Sequence, residues 1–182
     1  MDANRVKRNQ MLAQRVIKGL ESRNMEGYYA ESKEEALAKA LELIPEGSSV
    51  GWGGSMSIEE IGLKDAVCTG NYTVYNRDVC KTPEEKRQTE LSIIGSDYFL
   101  SSSNAITEDG VLVNIDGAAN RVAAISWGPK NVLMIIGMNK IVKSVEDAVS
   151  RARNEAAPIN AQRFPVDTPC KKNGACSDCK SP

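Results

Sequence analysis

Three thiols stand close together near the end of the chain: Cys170, Cys176 and Cys179, spaced Cys-x5-Cys-x2-Cys beside Lys171 and Lys172. Cationic neighbours favour the thiolate, and the thiolate is the metal ligand and the nucleophile. The odd cysteine count, five, and the lack of an exported leader pattern argue against a disulfide framework and for a reducing compartment. Clustered thiolates there suit a soft metal, either an iron–sulfur cluster, with the 4Fe–4S form expected, or a zinc. Redox-active thiols and a plain tail are the other two readings. The run supplies three ligands, so Cys80 and Cys68 are the candidates in the chain for a fourth. A cubane with one open iron, binding a substrate oxygen as a Lewis acid, is the arrangement that needs no fourth thiolate.

The chain has no histidine. That excludes a Ser-His-Asp triad, a Cys-His dyad and an imidazole metal site or proton shuttle. Chemistry must rest on carboxylates, Lys, Tyr, Cys, backbone amides or a cofactor. A second candidate is therefore the glycine-rich stretch Gly51, Gly53, Gly54, Ser55 and Ser57, placed between a strand pattern and a helix pattern. Glycines there permit a tight turn, and backbone N–H groups at a helix start can hold a phosphate, a carboxylate or an oxyanion. The competing reading is a turn that serves packing alone. Neither the P-loop pattern nor the Gly-x-Gly-x-x-Gly spacing is present.

Polar residues gather again in Ser101 to Gly110 and in Asn114-Ile115-Asp116-Gly117, followed by Asn120-Arg121. Glu108 or Asp109 can serve as nucleophile or general base, with Asp116 a third acid nearby. Asn104 and Asn120 offer amides, and Arg121 can clamp a carboxylate bidentately. Against this, Asp109-Gly110 is a strong turn dipeptide whose acid need only cap a hairpin.

These residues must be positioned by the elements around them. Ala13, Val16, Ile17 and Leu20 recur at helical spacing within an amphipathic helix over residues 4–24. Tyr28 to Ala30 reads as a short strand, and Ser32 with Glu35 as a capping box opening a helix that Pro45 and Gly47 stop. Ser49 to Trp52, Tyr72 to Tyr75, Tyr98 to Ser101 and Val111 to Ile115 read as strands. Helices fall between them, one after Ser57, one from the Thr82-Pro83-Glu85 cap to Ile94, and one over residues 118–127. Val132 to Ile136 is an unbroken apolar run, the mark of a strand covered on both faces, and Met134, Met138 and Trp127 are expected in the core. Ser144 and Asp147 cap a last helix to about Ala156, and Pro158, Pro165 and Pro169 mark an irregular tail. Alternation of strand and helix predicts α/β architecture with a mainly parallel sheet and right-handed crossovers. Ligands in such sheets sit at the strands' carboxyl ends, which selects residues 51–57, 76–81 and 101–121.

The 182 residues suffice for one α/β domain, expected over 1–165 with its N-terminal helix, and a cysteine-containing tail over 166–182. Lys plus Arg number 23 against 24 for Asp plus Glu, and no long basic run is present, so nucleic acid is not an expected partner. No apolar stretch approaches the roughly 20 residues of a membrane span, so no membrane partner is expected and the location is expected to be cytoplasmic.

Taken together, Gly51-Trp52-Gly53-Gly54-Ser55-Met56-Ser57-Ile58-Glu59-Glu60-Ile61-Gly62, Ser103 to Gly110, Asn114 to Val122 and Pro169 to Cys179 resemble the LUD (lactate utilization) domain family over essentially the whole chain. The resemblance implies the Rossmann-like three-layer α/β/α sandwich shared by glucosamine-6-phosphate deaminase, ribose-5-phosphate isomerase and CoA transferases. It implies a place in hydroxy-acid and keto-acid metabolism, some members oxidising L-lactate to pyruvate beside iron–sulfur partner subunits. By that likeness the glycine-rich loop, here Gly53, Gly54 and Ser55, holds a carboxylate or a phosphorylated substrate, and a loop acid, Glu108 or Asp109, does chemistry. Thr107-Glu108-Asp109-Gly110 resembles only loosely the turn that carries a CoA transferase's glutamate. The alternatives are a cofactor-free isomerase- or transferase-like enzyme using Glu108, and a non-catalytic subunit with a structural zinc; a homo-oligomer is compatible with each.

Overall fold

A computed structural model describes residues 2–179, so the end of the expected tail, 180–182, lies outside the described residues. In chain order the elements are α1 (Ala3–Glu21), α2 (Lys33–Leu43), β1 (Ser49–Trp52), α3 (Met56–Glu60), α4 (Leu63–Thr69), β2 (Thr73–Tyr75), α5 (Pro83–Ile94), β3 (Tyr98–Ser101), β4 (Ala105–Thr107), β5 (Leu112–Val113), α6 (Asn120–Ser126), β6 (Asn131–Met134), β7 (Ile141–Val142), α7 (Val145–Arg151), α8 (Ala157–Ala161) and α9 (Pro169–Asn173). Contacts group them into two compact units. A parallel-sheet unit comprises Ala30–Ser102 and Ala118–Ile136, and a mixed-sheet unit comprises Met1–Tyr29, Ser103–Gly117 and Gly137–Pro182.

The parallel-sheet unit is built on four strands in the order β2-β1-β3-β6. All its neighbours run parallel, with Val50 opposite Val74 and Tyr98, and Leu100 opposite Trp52 and Leu133. Alternate residues of a strand face opposite sides. Val50, Trp52 and Leu100 accordingly form one core cluster with Ala40 and Ile44 from α2 and its C-cap, Ile58 of α3, and Leu63 and Val67 of α4. Phe99 forms another with Ile93 of α5 and Ala124 of α6. Gly51 lies on the same side as Phe99, and a Cβ there would stand 2.6 Å from Ile93 Cγ1, so glycine lets α5 approach the strand. Helices thus cover both faces, giving the three α/β/α layers expected from the alternating pattern.

Local chemistry explains the helix starts. Thr82 and Glu85 form a reciprocal capping box with Pro83 in the first turn of α5. Ser32 caps α2 by accepting from Glu35 N at 3.1 Å, while the Glu35 carboxylate reaches Glu31 N at 2.8 Å, one residue before the place a strict box uses. At the strand starts, Asp97 Oδ2 accepts from Ser49 N at 2.8 Å and from Ser49 Oγ at 2.6 Å, and Lys130 Nζ lies 2.7 Å from Asp97 Oδ1. One carboxylate therefore ties β1 to β3 and to the approach to β6.

The mixed-sheet unit holds a smaller sheet, β5-β4-β7, in which β4 is antiparallel to β5 and parallel to β7. Gly110, at φ +85°, closes the β4–β5 connection with its N–H donating to Thr107 O at 3.0 Å. Helix α1 meets that turn backbone to backbone: a Cβ on Gly19 would stand 2.3 Å from the Asp109 carbonyl. Arg151 of α7 donates to the Asn104 carbonyl and to Asn139 O and pairs with Glu155 at 2.8 Å, joining α7 to the sheet's connections.

Several expectations need correction. Tyr28 to Ala30 is irregular, without a partner strand among the described residues. Among the described residues strand β6 is a sheet edge paired with β3, and only one of its faces is covered: Leu133 and Ile135 pack on the core while Val132 is exposed. Trp127 follows α6 and is 79 % exposed, so it is not a core residue. The helix starting at Val145 continues through a π-helical turn, Ala152–Ala156, into α8, which contains Pro158, so the chain is helical where an irregular tail is expected. Among the described residues no helix is long and apolar enough to cross a membrane.

Two predictions follow from these joints. Lys130 and Ser49 hold the Asp97 carboxyl well below the usual carboxylate range. A depressed folded value contributes stability that is complete above the unfolded value of about 3.9 and is lost as pH falls through the folded value. Asp97→Asn should lower the thermal midpoint at pH 7 and flatten its decline below about pH 4; parallel midpoint-versus-pH curves for the two proteins would refute the staple. Gly19→Ala should destabilise the protein by roughly 1–3 kcal/mol in urea unfolding, because the added methyl overpacks two backbones.

Candidate functional site

The order β2-β1-β3-β6 creates a crevice. The chain leaves β1 toward β2 on one side, and β3 returns on the other, so the connections diverge beyond the carboxyl ends of β1 and β3. Gly53 follows β1, its N–H donating to Leu100 O at 3.1 Å. A cavity of about 300 Å³ opens there. Trp52, Gly53 and Phe99 come to it from the strands, Arg87, Glu90 and Ile94 from α5, and Asn120, Arg121 and Ala124 from α6, with Arg77 from the 3-10 turn Arg77–Val79 after β2. Its lining is apolar in body and guanidinium-rich at its polar points.

Arg121 is only 8 % exposed, and its Nη1 donates to Ser102 O at 2.8 Å. The residue enters the cavity because Ala119, at φ +57°, turns the chain into α6 one residue before Asn120. Gly53 leaves it room: a Cβ there would stand 3.0 Å from Phe99 Cζ and 3.2 Å from Arg121 Cγ. Arg77 Nη1 lies 3.5 Å from Glu90 Oε1, and its Nη2 would stand 3.7 Å from a Cβ on Gly54. Trp52 is held in the wall by its indole N–H, which donates to Asp78 Oδ2 at 3.0 Å. Lys64 lies 3.1 Å from the same oxygen, 2.6 Å from Glu59 and 5.4 Å from the indole centroid. Burial raises the Asp78 carboxyl, but the hydrogen bonds from Trp52 and Lys64 outweigh it and hold the group below its ordinary value.

Of the residues singled out from the sequence, Gly53, Asn120 and Arg121 meet in this cavity, with Gly54 beside Arg77. Ser55 has a different use, since its buried hydroxyl caps α3 by accepting from Ile58 N at 3.4 Å. Asn104, Glu108, Asp109 and Asp116 belong to the mixed-sheet unit. There Asn104 Oδ1 accepts from Ile115 N at 2.8 Å, and Glu108 pairs with Arg15 of α1 at 2.8 Å. Asp109 accepts from Thr107 Oγ1 and pairs with Arg23 at 3.1 Å; the Thr107 bond is the main reason that its carboxyl lies below the ordinary value. These are the ties of a hairpin docked on a helix. Asp116 lies half-buried in the irregular segment between β5 and α6. Sequence reasoning selected residues 76–81 as a loop without naming Arg77, and it missed Arg87 and Glu90. Their spacing of three on a capped helix places them on one face, which was the available signal.

The cysteines are dispersed. Cys170 lies in α9 with its Sγ 3.3 Å from Thr168 Oγ1, Cys176 is half-buried, and Cys179 is exposed. Lys172 pairs with Asp167 at 2.6 Å, and Lys171 donates to the Phe164 carbonyl, so both lysines have partners. Cys80 belongs to the parallel-sheet unit, 3.3 Å from Thr89 Oγ1, and Cys68 of the same unit is exposed, its thiol pushed up chiefly by partial burial. The thiolates suit iron or zinc in kind, yet among the described residues no three Cys, Asp or Glu side chains stand grouped to hold a metal ion.

Compared with known families, the chain matches the one described as LUD domain over residues 13–182. Neither the curated proteins nor the solved structures give a match.

Proposed function

The chain belongs to the LUD domain family, and on that premise we propose that the cavity at the ends of β1 and β3 binds the carboxylate of a small hydroxy acid or keto acid. The observation that carries the proposal is the guanidinium of Arg121, nearly buried and yet lining an open cavity. Its planar fork matches a carboxylate bidentately, and the low-dielectric surroundings strengthen that contact relative to water. The Asn120 amide, adjacent in α6, can donate to the ligand's hydroxyl or carbonyl oxygen, while Phe99 and Ala124 accept its carbon skeleton. In this reading the protein serves hydroxy-acid and keto-acid metabolism as a carboxylate-binding component beside iron–sulfur partner subunits.

An iron–sulfur cluster is the second part of the proposal and is supported by donor chemistry alone: Cys170, Cys176 and Cys179 offer three thiolates within ten residues. Binding it requires the tail to draw those sulfurs together.

Calorimetric titration with L-lactate and with pyruvate should give saturable binding that Arg121→Lys weakens about tenfold or more, since an ammonium keeps the charge but not the fork. A wild-type protein that binds neither acid would overturn the carboxylate reading. Anaerobic reconstitution should give iron with acid-labile sulfide, lost in Cys176→Ser. Stoichiometric zinc would replace the cluster by a structural clip, and metal-free protein would exclude both.

A further inference from the structure

The cavity has a second cationic wall that a monocarboxylate leaves unused. Three guanidiniums, those of Arg77, Arg87 and Arg121, line it with the carboxylate of Glu90, and Arg77 Nε also lies 4.0 Å from Asp78 Oδ1. Arg87 and Glu90 are three residues apart on α5 and share a face, so an ion pair between them is available. The structure pairs Glu90 with Arg77 instead, at 3.5 Å. Arg87 makes no ion pair or side-chain hydrogen bond among the described residues. Like charges gathered around one small cavity repel, and an anion placed between them offsets that cost.

Volume points the same way. About 300 Å³ corresponds to roughly ten water-sized volumes, more than a three-carbon acid fills. Beside Asn120 and Arg121 the lining includes Ile93 and Ile94 of α5 and the Arg87 guanidinium, so a longer acid has groups of both kinds to meet.

We infer that the natural ligand is a small organic acid with a second anionic group, its carboxylate on Arg121 and the second group on Arg87, with Arg77 beside it. Arg87 is then the specificity-determining residue of the site. The second group is a carboxylate or a phosphate, both of which a guanidinium meets bidentately. This inference rests on the carboxylate reading above, and it adds the charge and reach of the ligand.

The test is titration of the full chain with three probes: L-2-hydroxybutyrate, L-malate, which replaces its terminal methyl by a carboxylate, and 3-phosphoglycerate. At least one of the two probes with a second anionic group should bind about tenfold more tightly than 2-hydroxybutyrate, and the tighter one identifies the second group. In Arg87→Gln that ratio should fall to about one, and Arg87→Lys should restore part of it. Equal affinity for all three probes in the wild type, or a ratio unchanged in Arg87→Gln, would overturn the inference while leaving the carboxylate reading in place. If none of the three binds, both fall. Arg87 is solvent-exposed, so its substitution should leave the thermal midpoint within about 1 °C of wild type, and an unchanged midpoint assigns any lost preference to recognition.

Discussion

Parallel pairing of β1 with β3 is the constraint on which the rest of the candidate site depends. Two adjacent parallel strands cannot be joined by a hairpin, so each must be followed by a crossover over a face of the sheet. Here the crossover after β1 leads away to β2, while the chain beyond β3 goes elsewhere. The divergence opens the ends of both strands and leaves the Gly53 and Ser102 backbones as neighbours of one crevice. Gly51 permits this arrangement on one face by letting Ile93 of α5 come within contact of β1. Asp97 secures it from the opposite end by bridging Ser49 and Lys130.

Given that frame, the chemistry of the cavity follows from what can reach it. Helix α6 begins at a left-handed alanine and delivers Arg121 to the Ser102 carbonyl. Helix α5, anchored by its capping box, aligns Arg87, Glu90 and Ile94 along one side. The turn after β2 adds Arg77, and its neighbour Asp78 holds the Trp52 indole in the wall. Cations thus reach the site from three separate elements, with Glu90 of α5 and Asp78 beside Arg77, and the proposed anion is the ligand class that such guanidiniums recognise.

Two of the acids singled out from the sequence, Glu108 and Asp109, are ion-paired in the structure. Glu108 and Asp109 sit at a hairpin turn against which α1 packs so closely that glycine is required at residue 19. Arg15 and Arg23 of that helical region meet the two carboxylates, and the strongest influence on Asp109 is a neighbouring hydroxyl. The Asp-Gly turn signal and the catalytic reading fall on the same residues, and the structure shows the hairpin that the turn signal predicts.

By itself the sequence determined the elements whose signals are local. Ser49–Trp52 and Tyr98–Ser101 match their strands, and the Thr82-Pro83-Glu85 cap starts α5, because caps, turns and β-branched runs act over a few residues. It also determined the α/β class and singled out Gly53, Asn120 and Arg121. Only the tertiary structure decided which of these share a cavity, that Ser55 caps a helix, and that Arg77 and Arg87 face the same space. It alone made β6 an edge and left Trp127 exposed, reversing what an apolar run and a large aromatic suggest. The physical reason is that strand order and helix docking are set by contacts between residues far apart in the chain. Short-range periodicity shows that a face is apolar; what covers it, and what charge is brought beside it, depends on where the crossovers carry the chain.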